Sequence, residues 1–287
     1  NLTTARKYLA GVGTATAALA FGGDEDPSAA VVNESWNGTS WTELADLNTG
    51  RRLLAGAGTT TAALAFAGSV SPKQQNEIWN GTAWTEVADL NTGREGVGGG
   101  GTTTSALAFM GDDPARTGQT ESWNGTNWTE VNDLNTARRL GGGLGADNTA
   151  ALAYGGETAP THQVAVTELW NGSNWTEVND LNTARLNLTG SGTSTAGIAA
   201  FGRTVSPPAD VAKTETELWN GTNWTEVNDG NTARYSLGAS KTSQTSALVF
   251  GGYVAPNYKA NTEEWNGSSW AEVADLSTAR QGGYGIG

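Results

Sequence analysis

Two residue types recur in register along this 287-residue chain and could do chemistry together. Glu34, Glu77, Glu121, Glu168, Glu217 and Glu263 each stand two residues before a tryptophan. Arg6, Arg51, Arg94, Arg138, Arg185 and Arg234 recur in the same rhythm, with Arg280 after them. Carboxylate and guanidinium at fixed spacing suit either buried ion pairs or a ring of cations that binds an acidic ligand. Sixfold recurrence favours the first, because an active site is a singular constellation and a repeated residue serves the fold. The Asp46, Asp89, Asp133, Asp180, Asp229 and Asp275 series would also cancel much of the field of an arginine ring. These arginines and glutamates are therefore expected to form a structural ion-pair ring.

Other chemistries are excluded by composition. There is no Cys, so no disulfide, thiolate metal site or cysteine nucleophile. A single histidine, His162, cannot build the usual multi-histidine metal site. The net charge is −13, from 16 basic and 29 acidic residues, which opposes nucleic acid as a partner. No apolar run reaches the roughly 18 residues of a membrane span. No Gly-rich phosphate loop precedes a helix. No cofactor, no metal and no enzymatic activity are expected.

The elements that position these residues follow from internal repetition. Trp-Asn-Gly begins at Trp36, Trp79, Trp123, Trp170, Trp219 and Trp265. Five residues after each stands a second tryptophan, so the two series account for all 12. Six units average about 46 residues. The unit after Arg51 reads as four strands: Leu53 to Thr59, Thr61 to Ala67, Asn76 to Trp79 and Ala83 to Leu90. Asn80-Gly81 is read as a two-residue hairpin turn with both residues at positive φ. No segment has a 3.6-residue apolar period, so almost no helix is expected. Four short strands per unit predict an all-β fold, a six-bladed β-propeller of four-stranded antiparallel blades. The whole chain, 1–287, is one domain on this reading. Residues 277–287 repeat a first strand, so the chain is an excerpt, or this strand pairs elsewhere, or part of a seventh blade is missing.

The repeats resemble the Kelch family. The double glycine that ends the second strand of a Kelch blade is matched by Gly22-Gly23, Gly155-Gly156 and Gly251-Gly252. It is reduced to Gly68, Gly111 and Gly202 in the other units, and a tryptophan replaces the family's usual tyrosine. The style of TAALAFGG followed by TEEWNGSSW and DLSTAR is also similar to repetitive Kelch-like proteins of marine bacteriophages and their hosts. The Kelch-like copper radical oxidases need a Cys–Tyr crosslink and histidine ligands, which this chain lacks. Sialidase-type Ser-x-Asp-x-Gly-x-x-Trp boxes are missing too.

Most variation falls between the second and third strands. Those loops hold Asp24, Glu25, Asp26, Lys73, Asp112, Asp113, Arg116, His162, Arg203, Tyr253 and Tyr258, and each carries proline. A constant scaffold with one variable loop face suits a binding module. The expected partner is a protein or glycan surface, at the outside of a virion or cell, with other subunits of a larger particle as neighbours. An intracellular Kelch-type adaptor is the alternative. The tryptophans are expected in the core. The Asn-Gly-Thr/Ser triplets match the glycosylation acceptor pattern, but turn geometry alone accounts for them.

Overall fold

The computed structural model describes residues 8–14, 16–24, 28–159, 162–206, 209–239 and 243–273. Arg6, Glu25, Asp26, Asp275 and the repeated strand at 277–287 lie outside them. Six four-stranded antiparallel sheets follow one another, each in the order first, second, third, fourth. The first strands adjoin around a ring, and those of blades 6 and 1 lie against each other, so the propeller has six blades and closes on itself. The described residues contain no helix.

Blade 2 shows the pattern. Its strands are Ala55–Gly58, Ala63–Phe66, Asn76–Trp79 and Trp84–Glu86. They are shorter than the sequence pattern implies, because the turns take residues from both ends. The first strand is built from Gly and Ala for a specific reason. A Cβ on Gly56 would sit 2.7 Å from the Phe21 ring of the preceding blade. Gly99 and Gly143 are equally covered by Phe66 and Phe109. Each aromatic thus lies across the next blade's inner strand. Its other neighbour is that blade's second tryptophan: Phe21–Trp84 at 4.9 Å, Phe66–Trp128 at 5.1 Å, Phe109–Trp175 at 5.0 Å and Tyr154–Trp224 at 5.1 Å. The core is therefore a series of inter-blade layers, and burial of these large rings is the main force holding blade to blade.

Blade 5 solves the same packing differently. Ala200 stands where the other blades have Phe or Tyr, and Phe201 follows it at φ +61. That left-handed turn brings the Phe201 ring to 5.2 Å from Trp270. The linker leaving this blade has Gly230 where the other five units have Leu, and a Cβ there would meet the Phe201 ring at 2.3 Å. The ring occupies the space vacated by leucine.

The double glycine also has a geometric cause. Its first position adopts φ between +54 and +68 in all six blades and holds Gly22, Ala67, Met110, Gly155, Phe201 and Gly251. Its second position lies between +102 and +128 and is always glycine. L-residues tolerate the first region at modest cost, whereas the second is open only to glycine.

The 3–4 hairpins correct the expected turn. Asn37, Asn80, Asn124, Asn171, Asn220 and Asn266 do not have positive φ; only the following glycines do, at +91 to +96. The central pair is Gly-Thr or Gly-Ser, closed by bonds such as Asn80 N–H to the Ala83 carbonyl at 3.3 Å. The asparagine acts through its side chain, whose Oδ1 accepts from the second and third residues after it. Glycine first and a β-region flank match a II′-like turn more closely than I′.

A further run of hydrogen bonds passes from blade to blade where the chain enters each first strand. Leu53 N–H donates to Tyr8, Gly96 to Leu53, Leu140 to Gly96, Asn187 to Leu140 and Ser236 to Asn187, at 2.9 to 3.4 Å. All six residues have φ between +54 and +63.

Candidate functional site

The repeated arginines and glutamates meet in the interior. Glu77 is 1% exposed and Arg51 is fully buried. Arg51 Nη2 donates to Glu77 Oε1 at 2.9 Å. Asn48 donates its backbone N–H and its Nδ2 to Oε2 at 2.7 and 2.8 Å. Thr49 N–H reaches Oε1 at 3.4 Å. Asn48 and Thr49 belong to the linker leaving blade 1, so Glu77 of blade 2 clasps the chain of its neighbour. The clasp recurs at Arg94–Glu121 (2.7 Å), Arg138–Glu168, Arg185–Glu217 (2.7 Å) and Arg234–Glu263. Burial holds the Arg51 and Arg138 guanidinium groups below the usual arginine range, against the pull of their glutamates. These cations are sealed from solvent and cannot form a ligand-binding ring. Glu34 is buried in the same place in blade 1. Asp46, Asp89, Asp133, Asp180 and Asp229 are occupied as well: each accepts the N–H of the third-strand residue three before the first tryptophan of its blade.

The first tryptophans are buried in blades 2 to 6, and each donates Nε1–H to a carbonyl in its own 1–2 turn. No tryptophan face among these is displayed for stacking on a ligand.

What remains variable is gathered on one face. The second-to-third loops and the residues after each clasp arginine are joined there by short backbone bridges: Glu95 with Asp112, Arg139 with Glu157, Leu186 with Arg203, Tyr235 with Tyr253. The loops of blades 4, 5 and 6 carry small strand pairs, Glu157–Thr158 with His162–Gln163, Arg203–Thr204 with Val211–Ala212, and Tyr253–Val254 with Asn257–Tyr258. In blade 3 the second and third strands themselves extend into the loop, as Ala106–Asp112 and Arg116–Trp123. Four hairpin crests thus rise over blades 3 to 6, where the sequence reads as irregular loop.

The predicted loop residues divide in two. Asp24 and Asp112 are buried rather than presented to a ligand, because each accepts from a neighbouring blade. Asp24 pairs with Arg52 at 2.8 Å. Asp112 and Glu157 share Arg116 and Arg139, with contacts of 3.3 and 2.6 Å to Asp112 and 2.6 and 3.6 Å to Glu157. Lys73 pairs with Asp113 at 2.9 Å across blades 2 and 3. That hydrogen bond raises the Lys73 ammonium above its usual range. Arg203 pairs with Asp210 in its own loop, and its guanidinium lies 5.2 Å from the centre of the Tyr235 ring. Tyr235 meets Tyr253 edge-on at 5.5 Å. His162 is exposed. The backbone of Tyr258 pairs with Tyr253.

Sequence reasoning missed Arg52, Glu95, Arg139, Leu186 and Tyr235. A signal was present. The two positions after each clasp arginine vary from unit to unit, between a constant Asn-Thr-x-Arg and a constant Gly-rich strand. Among the described residues no cluster of three or more His, Cys, Asp or Glu could hold a metal ion. No helix in them is long and apolar enough to cross a membrane.

No family model matches this chain. No curated protein sequence matches it either. Many solved structures share this architecture; that of YjhT, among them, superposes with a TM-score of 0.74 at 12% identity, covering 92% of this chain and 95% of its own. At that identity the likeness shows the propeller fold.

Proposed function

We propose that this propeller is a non-enzymatic binding or structural module that recognises a protein or glycan surface through its loop face. The observation that carries this reading is the confinement of asymmetry. Clasps, tryptophan pairs and 3–4 turns repeat around the ring, while the loop face differs at every blade and raises crests over blades 3 to 6. Folding alone asks no such variety of one face. Half-buried ion pairs beneath the loops hold them in place and lower the ordering cost of binding. The acidic composition, with a net charge of −13, and the phage-like style of repeat support placing the module outside a virion or cell, as an adhesion component of a larger particle.

The test is binding of the labelled chain to a glycan panel and to whole microbial cells, with calcium and with chelator. The loop reading expects saturable binding that is lost when the loops of blades 3 to 6 are replaced by Gly-Ser while the fold survives. Undiminished binding after that exchange would move the site off this face. No binding by a folded, monodisperse chain would leave the structural role.

A further inference from the structure

We infer that the six Asn-Gly hairpins are self-modifying sites, at which asparagine loses ammonia through a succinimide, fastest in blades 1, 2 and 6. All six asparagines are exposed. In every hairpin two backbone N–H groups converge on the asparagine Oδ1. They come from Thr39 and Ser40 (2.9 Å both), Thr82 and Ala83 (2.9 and 3.0 Å), Thr126 and Asn127 (2.9 Å both), Ser173 and Asn174 (3.0 and 2.9 Å), Thr222 and Asn223 (2.9 and 2.8 Å), and Ser268 and Ser269 (2.9 and 3.0 Å). In blades 1, 2 and 6 a hydroxyl joins them: Thr39 and Thr82 Oγ1 at 2.8 Å and Ser268 Oγ at 2.9 Å. Donors at this range are what an oxyanion hole offers a carbonyl that is about to become tetrahedral.

The nucleophile is the backbone nitrogen of the next residue. It is always glycine, so no Cβ hinders it, and none of the six glycine N–H groups donates a hydrogen bond within the protein. Solvent base removes the proton from that nitrogen. The nitrogen then bonds to the asparagine Cγ, and the carbonyl electron pair moves onto Oδ1, where the donors hold it. Collapse breaks the Cγ–Nδ2 bond, and ammonia leaves with a proton from water. Water then opens the succinimide at either carbonyl to give aspartate or isoaspartate. The overall change is asparagine plus water to an acid plus ammonia, so no oxidant or other reagent is needed. Each event adds a negative charge to a chain already at −13. An isoaspartate also lengthens the backbone by one carbon at the hairpin tip.

The experiment incubates the folded whole chain at mildly alkaline pH and follows each site by peptide mass and isoaspartate detection. The same segments in the urea-unfolded chain are the reference. Asn37, Asn80 and Asn266 are expected to react faster than Asn124, Asn171 and Asn220. Thr82→Val should slow Asn80 alone by about 3- to 10-fold, the worth of one exposed hydrogen bond. Thr39→Val and Ser268→Ala should do the same at their own sites. Equal rates at all six sites, or folded rates below the unfolded reference everywhere, would overturn the inference. The hydrogen bonds would then be holding the amide against reaction. A melting curve of each variant separates loss of rate from loss of fold.

Discussion

Replacing Glu168 by Gln tests the account of the inter-blade clasp. The change keeps shape and removes charge. Glu168 is fully buried and accepts from Asn135 N–H at 2.7 Å, Asn135 Nδ2 at 2.8 Å, Thr136 N–H at 3.3 Å and the Arg138 guanidinium. Glutamine offers one acceptor oxygen where the carboxylate had two, and turns an NH2 towards groups that are themselves donors. Arg138 is left as a buried cation without its anion, which costs about 3–5 kcal/mol in proteins generally. Two features set the value within that range. Glu177 stands directly across the strand pair from Glu168, so losing one charge relieves a like-charge contact. Glu177 and Asp180 also continue to attract Arg138. Both favour the lower end, about 3 kcal/mol, which is still a large share of the 5–15 kcal/mol of a typical domain. Urea unfolding followed by tryptophan fluorescence measures it as a shift in midpoint at unchanged slope. A loss below about 1 kcal/mol would refute the argument, because it would mean that the clasp is solvated or relaxes without cost.

Other expectations follow from single residues. Gly68→Ala should cost about 1–3 kcal/mol, since φ is +128 and the new Cβ would lie 3.1 Å from the Arg52 carbonyl oxygen. Ala67→Gly next to it should stay within about 1 kcal/mol of wild type by thermal melting, because relief of a left-handed alanine is offset by loss of a buried methyl and by chain entropy. Asn76→Thr should stabilise by about 1 kcal/mol. Asn76 Oδ1 and Trp128 Nε1 are buried without partners, whereas Thr120, Thr167 and Thr216 accept the equivalent tryptophan N–H in other blades at 2.9 to 3.0 Å. Burial pushes the Tyr154 phenol well above its ordinary value of 10.0. Its contribution to stability is therefore complete below the unfolded value and lost as pH rises from there towards the folded one. Tyr154→Phe should flatten the alkaline limb of the stability–pH curve, and should not destabilise at neutral pH, since the hydroxyl has no partner.

Blade number and strand order were legible because the tryptophan spacing and the Asn-Gly signal survive in every unit. The glycine at the second position of the double glycine was legible for the same reason, although its cause, a φ that only glycine adopts, is a fact of the fold. The clasp was half legible. Arg and Glu could be paired by type, but the linker asparagine that completes the carboxylate's shell comes from the preceding blade, and no local pattern shows that. The crests were hidden because two-residue strand pairs leave no periodicity. The loop ion pairs were hidden because Arg139 and Asp112 are brought together only by the packing of adjacent blades. Blade 5 shows a similar limit: Ala200, Phe201 and Gly230 read singly as degeneration, yet together they rebuild one layer.

The hydrogen-bonded run from Tyr8 through Leu53, Gly96, Leu140 and Asn187 to Ser236 has a consequence for what this face offers a ligand. At a helix end the peptide dipoles point the same way and leave a net potential that attracts an ion of one sign. Here each N–H is answered by the carbonyl of the preceding blade's residue, so these donors are not left bare as they are at a helix end. The five N–H groups so engaged are not available to an approaching molecule. A preference between anion and cation on this face then rests on side chains such as Arg52, Arg139 and Arg203, set against Asp24, Asp112 and Glu157. Substitutions at these few positions could therefore reverse the sign of this face while the backbone beneath keeps its geometry.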